Sequence, residues 1–415
     1  MNKIKIKNFG PIKEGYLEDE GFMDIKKVTV FIGNQGSGKS TIAKVISTLV
    51  WIEKAINRED FSESWSFHDF KEQFKYQNLD GYFRNDTIID YVGEQYSICF
   101  DMFKNQSPLI EKINELNYIV PKIMYVPSER NFLSVIKDAY SVRGLPEPLF
   151  EFAEELRKSQ QFIGSKGILL PINNVYYKYD SSSEIGIIYN NEYSVNMTAA
   201  SSGFQSLVPL FLVSNNLADL VSKADSDLNA DTVSVDQKLR INKQISDIML
   251  SNELTNNDKL SAVDNIKSKF ISKSFINIVE EPEQNLFPSS QRQMLNSLMK
   301  FNNMNDGNKL VVTTHSPYLI NYLTLAVKAK DVYRMLIEKK YKLSDPEFGY
   351  TNEIVPMSST VKSDDLVIYE LDERDGSIKK LPDYKGLPSD ENKLNYSLED
   401  SNELFAQLLE IQQGL

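Results

Sequence analysis

A chain of 415 residues has room for two or three average domains, or for one large domain interrupted by inserted lobes. Its 58 acidic and 46 basic residues give a net charge of −12, which excludes a global basic field for holding nucleic acid nonspecifically and leaves only a local stripe open. A single cysteine excludes an intrachain disulfide, and two histidines leave no His/Cys cluster for a structural zinc.

Near the start, Ile4, Ile6 and Phe9 alternate with Lys3, Lys5 and Lys7. This predicts a half-buried strand ending at the Gly10-Pro11 turn, with a second strand from Ile12. Met1 to Lys7 lacks the apolar core of a signal peptide, and no apolar run reaches the ~18 residues that span a bilayer, so the expected location is cytoplasmic with no membrane partner. Val28 to Ile32 reads as a buried strand running into Gly33-Asn34-Gln35-Gly36-Ser37-Gly38-Lys39-Ser40-Thr41, a G-x-x-x-x-G-K-[ST] loop. Gly33, Gly36 and Gly38 let the backbone approach phosphate, Lys39 supplies a point charge, and Ser40 offers a hydroxyl oxygen to Mg²⁺. With a strand before and a helix after, the stretch predicts nucleoside triphosphate binding. Ile42, Val45, Ile46, Leu49 and Ile52 then recur at helical spacing across residues 41–56.

Residues 57–118 are polar, charged and aromatic and read as an inserted, mainly helical lobe. Their aromatics, Trp65, Phe67, Phe70, Phe74, Tyr76 and Tyr82 among them, suit core packing; stacking on single-stranded nucleic acid is the alternative. Cys99, in the apolar run Ser97 to Phe100, is expected as a buried structural thiol. Ile119 to Pro127 reads as a strand returning to the sheet, with Ser128-Glu129-Arg130-Asn131 as a polar stop. That stop lies either on the ligand side of the sheet or in a plain helix cap. Residues 139–166 read as helical. Several short antiparallel strands follow to Tyr193, with the clearest hairpin between Tyr176–Asp180 and Ile185–Tyr189.

The small-residue turn Ser201-Ser202-Gly203-Phe204-Gln205 opens an apolar helix, a geometry that suits an anion. Residues 222–269 are polar with helical patterning and suggest a partly exposed arm. Phe275 to Val279 is a core strand that delivers Glu280 and Glu281, one to serve a Mg²⁺ shell and one to polarise water, with capping of the helix that follows as the alternative. Leu310 to Thr314 is another buried strand, handing over to His315 as a γ-phosphate contact, with Ser316 capping and Pro317 opening a helix. Lys328, Lys330, Arg334, Lys339, Lys340 and Lys342 form the densest basic cluster, a solvated face or a nucleic-acid stripe. Leu366 to Tyr369 and Ile378 make a hairpin. A last helix, Ser401 to Gln412, has a broad apolar face expected to dock on the core or on a second protomer.

Loop, Ser-Ser-Gly-Phe-Gln turn, acidic strand end and strand-end histidine stand in an order that resembles the ATP-binding-cassette (ABC) ATPases. The likeness is to their soluble branch of chromosome-maintenance, break-repair and OLD (overcoming lysogenization defect) proteins. Ile-Lys-Asn-Phe-Gly-Pro-Ile, Val-Pro-Ser-Glu-Arg-Asn and Glu-Glu-Pro-Glu-Gln-Asn-Leu-Phe-Pro look most like the OLD-like bacterial group, many of whose members serve in anti-phage defence. The fold implied is α/β, a P-loop NTPase of ABC ATPase type with a mixed sheet and helical inserted lobes.

The core would be assembled from 1–56 with Walker A, 119–221 with the signature, and 271–326 with Walker B, D-loop and switch histidine. A helical lobe at 57–118, a polar helical arm at 222–270 and an α+β extension at 327–415 complete the division. The resemblance makes Gly33 to Thr41 Walker A, Ser201 to Gln205 the signature acting in trans, and Ser40 and Glu280 the metal residues. Glu281 becomes the base, His315 the switch histidine and Glu283 to Leu286 the D-loop region. Ser128-Glu129 stands where the family has its Q-loop, without the glutamine. It further implies ATP and Mg²⁺ as cofactors, a homodimer closed by an ATP sandwich, and a separate nuclease or toxin effector.

Three departures stand out. Glu280 replaces the usual Asp, so the register can also be read with Glu281 on the metal and Glu283 polarising water. Phe204 replaces a signature glycine. The acids Asp364 to Asp375 lie in one hairpin rather than in a Toprim nuclease domain. Two rival functions are a DNA-repair or DNA-end-binding ATPase and an ATP-gated scaffold with little turnover.

Overall fold

The computed structural model describes residues 2–61, 64–115, 118–136, 142–223, 235–250, 255, 258–260, 262–263, 266 and 269–414. Strands β1 (Asn2–Phe9), β2 (Gly15–Tyr16), β3 (Met23–Ile25) and β4 (Val28–Gly33) lead into helix α1 (Lys39–Asn57). Helix α2 (Phe67–Lys75) starts at a capping box: Asp69 N–H donates to Ser66 Oγ, and Ser66 N–H donates to the Asp69 carboxylate. Strands β5 (Phe83–Val92), β6 (Tyr96–Asp101), β7 (Leu109–Lys112) and β8 (Pro121–Val126) precede helices α3 (Phe132–Val135) and α4 (Glu147–Ile163). Short strands β9 (Ile168–Leu169), β10 (Tyr176–Asp180), β11 (Ile185–Tyr189) and β12 (Ser194–Asn196) then lead to the long helix α5 (Ser202–Ser222). Next are α6 (Val235–Leu250), β13 (Ser274–Glu280), α7 (Pro288–Asn302), β14 (Lys309–Thr314), α8 (Pro317–Glu338) and α9 (Pro346–Ile354). The chain ends with β15 (Leu366–Leu371), β16 (Ser377–Lys380), β17 (Asp383–Tyr384), β18 (Leu387–Pro388) and helix α10 (Lys393–Gly414).

The central sheet runs β2-β16-β15-β4-β14-β13-β8. The five strands from β15 to β8 are parallel and β16 is antiparallel to β15, so the sheet is mixed. Both faces of the parallel part are covered, which is why these strands read as continuous apolar runs. Val28, Val30 and Ile32 of β4 enter one apolar cluster with residues of α4, α5, α7 and α8; Phe31 enters a second with α1 and β1. All five carboxyl ends meet one edge, placing Gly33 opposite Leu371, Ile32 opposite Thr314, and Glu280 opposite Thr313.

Residues 57–118 are not a mainly helical lobe. β5, β6 and β7 join β1 and β3 in a five-stranded antiparallel sheet packed over α1, with α2 as its one α-helix among the described residues. The strand signal was hidden because β5 opens with Arg84, Asn85 and Asp86, all exposed, and shows its buried alternation only from Thr87 to Tyr91. The aromatics pack on one another: Phe67 stacks on Phe100 at 5.5 Å, and Phe70 meets Phe74 edge-on at 5.0 Å. Cys99 is half-buried rather than buried, since the two-residue period of β6 turns Ile98 and Phe100 inward and Cys99 outward.

The antiparallel strands expected before Tyr193 form the sheet β12-β11-β10-β9. α5 is long and apolar enough to cross a membrane by composition, but 78% of its apolar window is buried in the protein. Within 222–270, α6 is helical; the arm's stretches 224–234, 251–254, 256–257, 261, 264–265 and 267–268 lie outside the described residues.

Residues 327–415 do not form a separate extension. β15 lies inside the central sheet, parallel to β4 along its whole length, and β16 continues that sheet. The basic residues Lys328, Arg334, Lys339, Lys340 and Lys342 are exposed on and just after α8. Helix α10 does not dock its apolar face on the core: Leu404, Phe405 and Leu408 are each 60–64% exposed.

Candidate functional site

The site is assembled where β4, β13 and β14 end together. β4 runs into the Gly33–Thr41 loop, whose turn depends on positive φ at Gly36 (76°) and Gly38 (102°). A Cβ at Gly38 would stand 2.4 Å from Ile12 Cδ1, so both the backbone and the close approach of the Pro11-Ile12 turn require glycine there. Asn34 and Gln35 are exposed and Ser37 is buried; in the first turn of α1 Thr41 is buried and Ser40 exposed. Lys39 Nζ donates to the loop's own carbonyls, Gly33 O and Asn34 O, each at 2.9 Å. Burial lowers its pKa to about 8 against the attraction of Glu281, Glu283, Glu280 and Glu373. The loop is thus folded around its lysine, which is held by the loop's own carbonyl oxygens.

β13 delivers the acids. Glu280, its last residue, is 4% exposed; its Oε2 accepts from Ser128 N–H at 3.3 Å, its carboxylate lies beside the buried Tyr125 hydroxyl, and its buried Oε1 has no close hydrogen-bond partner among the described residues. The polar stop after β8 therefore turns a backbone donor toward the acidic strand end. Glu281 stands in the left-handed region at φ 43°, its N–H donating to Thr313 O at 2.9 Å, and its Oε1 lies 3.5 Å from His315 Nε2. Burial and the neighbouring Glu280 hold its pKa above the ordinary value. Burial and the charge of Lys39 hold the His315 pKa below its own, favouring the neutral imidazole. Glu283 faces the end of β14: Thr314 Oγ1 and His315 N–H both donate to its Oε1 at 2.7 Å. Ser316 occupies the N-cap of α8 with Pro317 at N1, but its Oγ donates to Gln291 Oε1 at 2.6 Å and accepts no N–H from the helix.

Lys39, Glu280, Glu281, Glu283 and His315 thus converge. The residues fit a Mg²⁺ ion carried with a nucleotide: an exposed Ser40 hydroxyl at the start of α1 and an orphaned, buried carboxylate oxygen on Glu280 are hard oxygen donors.

The turn Ser201–Gln205 is not brought to the chain's own P-loop, and among the described residues no hydrogen bond or ion pair joins the two. Ser201 is the N-cap of α5, and Ser201 and Ser202 are exposed. Gly203 lies against Asn285 O, which a Cβ there would approach to 3.1 Å. Phe204 turns inward onto the apolar cluster, and Gln205 Nε2 donates back to Met197 O and Thr198 O. Just beyond this turn, Asn285 Nδ2 donates to Ser206 Oγ of α5 at 2.9 Å.

Two further residues enter the site that the sequence reading did not assign to it. Glu373, in the turn after β15, accepts from Asn34 Nδ2 at 3.4 Å, a consequence of the β15–β4 pairing that no local pattern announces. Arg130, fully buried, donates to Glu280 O (2.7 Å), Glu281 O (2.6 Å), Pro127 O (3.3 Å) and Ser206 O (3.1 Å). Its signal was an arginine within the polar stop of a core strand.

Residues 144–320 match the family model of an AAA ATPase domain, a stretch that includes Ser201–Gln205, Glu280, Glu281 and His315. The fold is that of a P-loop ATPase. It is α/β with a mixed sheet, in which the Gly33–Thr41 loop, the acidic strand end and the strand-end histidine follow adjacent parallel strands.

Among solved structures, the chain is similar to the SMC head domain from Thermotoga maritima, with 11% identity, TM-score 0.38, and 92% of this chain and 98% of that one covered. It is also similar to the Smc head domain with an extended coiled coil from Pyrococcus furiosus, with 10% identity, TM-score 0.33, and 98% and 100% covered. A third likeness is to an ATP-binding cassette in a dimeric, post-hydrolysis state with ADP and Pi, with 11% identity, TM-score 0.27, and 92% and 100% covered. None of the curated proteins matches the chain in sequence.

Proposed function

We propose that the chain is an ABC-type ATPase working as a nucleotide-driven dimerisation switch. Mg-ATP held by Gly33–Thr41 of one copy is closed over by Ser201–Gln205 of a second. The observation that supports this most directly is the division of the machinery. Lys39, Glu281 and His315 stand together at the strand ends, while Ser201 and Ser202 stand exposed and unconnected to that loop.

Lys39 exchanges its two carbonyl partners for phosphate oxygens, and the α1 N-terminus faces the same charge. Ser40 and Glu280 would hold Mg²⁺, which would neutralise charge on the transferred phosphoryl group. Glu281 accepts the proton of the attacking water. Glu283 is the weaker candidate, because one of its oxygens is already committed to Thr314 and His315. His315, neutral and beside Glu281, contacts the γ-phosphate. Two ATP molecules clamp the pair and hydrolysis releases it.

The output is delivered through a separate nuclease or toxin, and the role is that of a sensor in bacterial anti-phage defence. This part rests on the resemblance of Val126–Asn131 and Glu280–Pro288 to the OLD-like group.

Steady-state ATP hydrolysis by the wild type and Glu281→Gln, with and without double-stranded DNA, tests the reading. Slow turnover indifferent to DNA, and lost in Glu281→Gln, agrees with it. DNA-stimulated turnover would move the function to repair, and undiminished turnover in Glu281→Gln would remove Glu281 as base.

A further inference from the structure

Arg130 is the largest fully buried side chain among the described residues, and every hydrogen bond it makes ends on a backbone carbonyl. A guanidinium held dry is costly unless its donors are satisfied, so the four carbonyls and the cation depend on one another. Their origins are what matter. Two belong to the acidic strand end, Glu280 and Glu281; one belongs to Pro127 at the end of β8; one belongs to Ser206 in the first turn of α5.

The bond to Glu281 has a particular consequence. A non-glycine residue at φ 43° persists only where its surroundings hold it. Glu281 is held by its N–H on Thr313 O and by Arg130 Nη2 on its carbonyl. That backbone pose places its carboxylate beside His315. The other arm, Nε on Ser206 O, grips the helix whose N-terminus presents Ser201 and Ser202, and Asn285 Nδ2 fixes the same serine from the loop that follows Glu281.

We infer that Arg130 is a positioning residue that couples the first turn of α5 to Glu281. Seating of the Ser201–Gln205 turn on a second copy's nucleotide is thereby linked to alignment of the base in the chain's own site. The coupling to a second copy rests on the dimer reading above; the positioning of Glu281 does not.

Arg130→Lys in the full chain keeps the charge but cannot reach all of these carbonyls. The expected result is a fall in kcat of about 100-fold, the scale of a misplaced general base, with KM for ATP within about threefold of wild type. In a Glu281→Gln background, Arg130→Lys should still bind a fluorescent ATP analogue but lose the ATP-dependent doubling of mass expected of Glu281→Gln alone. Wild-type kcat in Arg130→Lys overturns the proposal, as does a loss confined to KM and thermal stability, which would make Arg130 a packing residue. If Glu281→Gln alone stays monomeric with ATP, the dimer reading fails, while the kcat-against-KM split still decides whether Arg130 positions Glu281. Should Arg130→Lys fail to fold, Asn285→Ala carries the test: reduced kcat at unchanged KM supports the coupling, and unchanged kcat overturns it.

Discussion

His315 Nε2 stands 3.5 Å from Glu281 Oε1, each residue immediately following one of two adjacent parallel strands. Burial lowers the pKa of the imidazole and raises that of the carboxylate, so both groups lean toward their neutral forms. The working state needs Glu281 ionised and His315 neutral, and both are reached by raising the pH. kcat should therefore rise with pH along an acid limb above the ordinary glutamate value of 4.5. In His315→Ala the limb should be carried by Glu281 alone and lose one titration. A pH–rate profile identical in the two proteins would contradict this.

Lys39 gives a second pH dependence with the opposite use. Its pKa falls from 10.5 to about 8, so between those values the unfolded chain binds more protons than the folded one. The nucleotide-free protein should accordingly gain stability as pH rises through that window. Phosphate favours the charged amine, so ATP binding at pH about 9 should take up a proton. Calorimetry in two buffers of different ionisation enthalpy measures that uptake, which should vanish in Lys39→Met. Absence of uptake in the wild type would mean that the lysine is already charged before ATP arrives.

Glu283 should be structural. Thr314→Val removes one of the two donors to its Oε1, and its Oε2 has no partner among the described residues. Leaving a buried carboxylate further unsatisfied should cost about 1–3 kcal/mol, read as a lower urea midpoint with unchanged slope. An unchanged midpoint would mean that the Thr314 contact contributes nothing.

How far the sequence could be read follows from where each signal lies. The loop from Gly33, the strand ends carrying Glu280 and His315, and the Ser201 turn are local patterns, each a few residues long beside an apolar run, and the structure places each in the element expected. What escaped depends on partners far along the chain. β15 shows only as half of a hairpin, because its pairing with β4 joins residues more than 300 positions apart. β5 hides its alternation behind a polar start, which made a helical lobe of an antiparallel sheet. Arg130 looked like a loop residue because its four acceptors are main-chain oxygens that no sequence pattern marks.

The exposed end of α5 offers a test that leaves the chain's own loop intact. Ser202→Arg adds bulk at an exposed position where Ser201 and Ser202 would meet a second copy's nucleotide. ATP binding to the separate chain should persist within about threefold, while hydrolysis falls at least tenfold, since an exposed substitution changes stability by only about 0.5 kcal/mol. Hydrolysis at the wild-type rate would show that the turn takes no part.

In the proposed switch, ATP joins two copies of this chain. The direct measurement is the mass in solution of Glu281→Gln with Mg-ATP, by light scattering, beside Lys39→Met under the same conditions. A doubled mass is expected for Glu281→Gln with ATP, a single-chain mass without it, and a single-chain mass for Lys39→Met throughout. A Glu281→Gln protein that binds ATP to saturation and keeps one unchanged mass would contradict it.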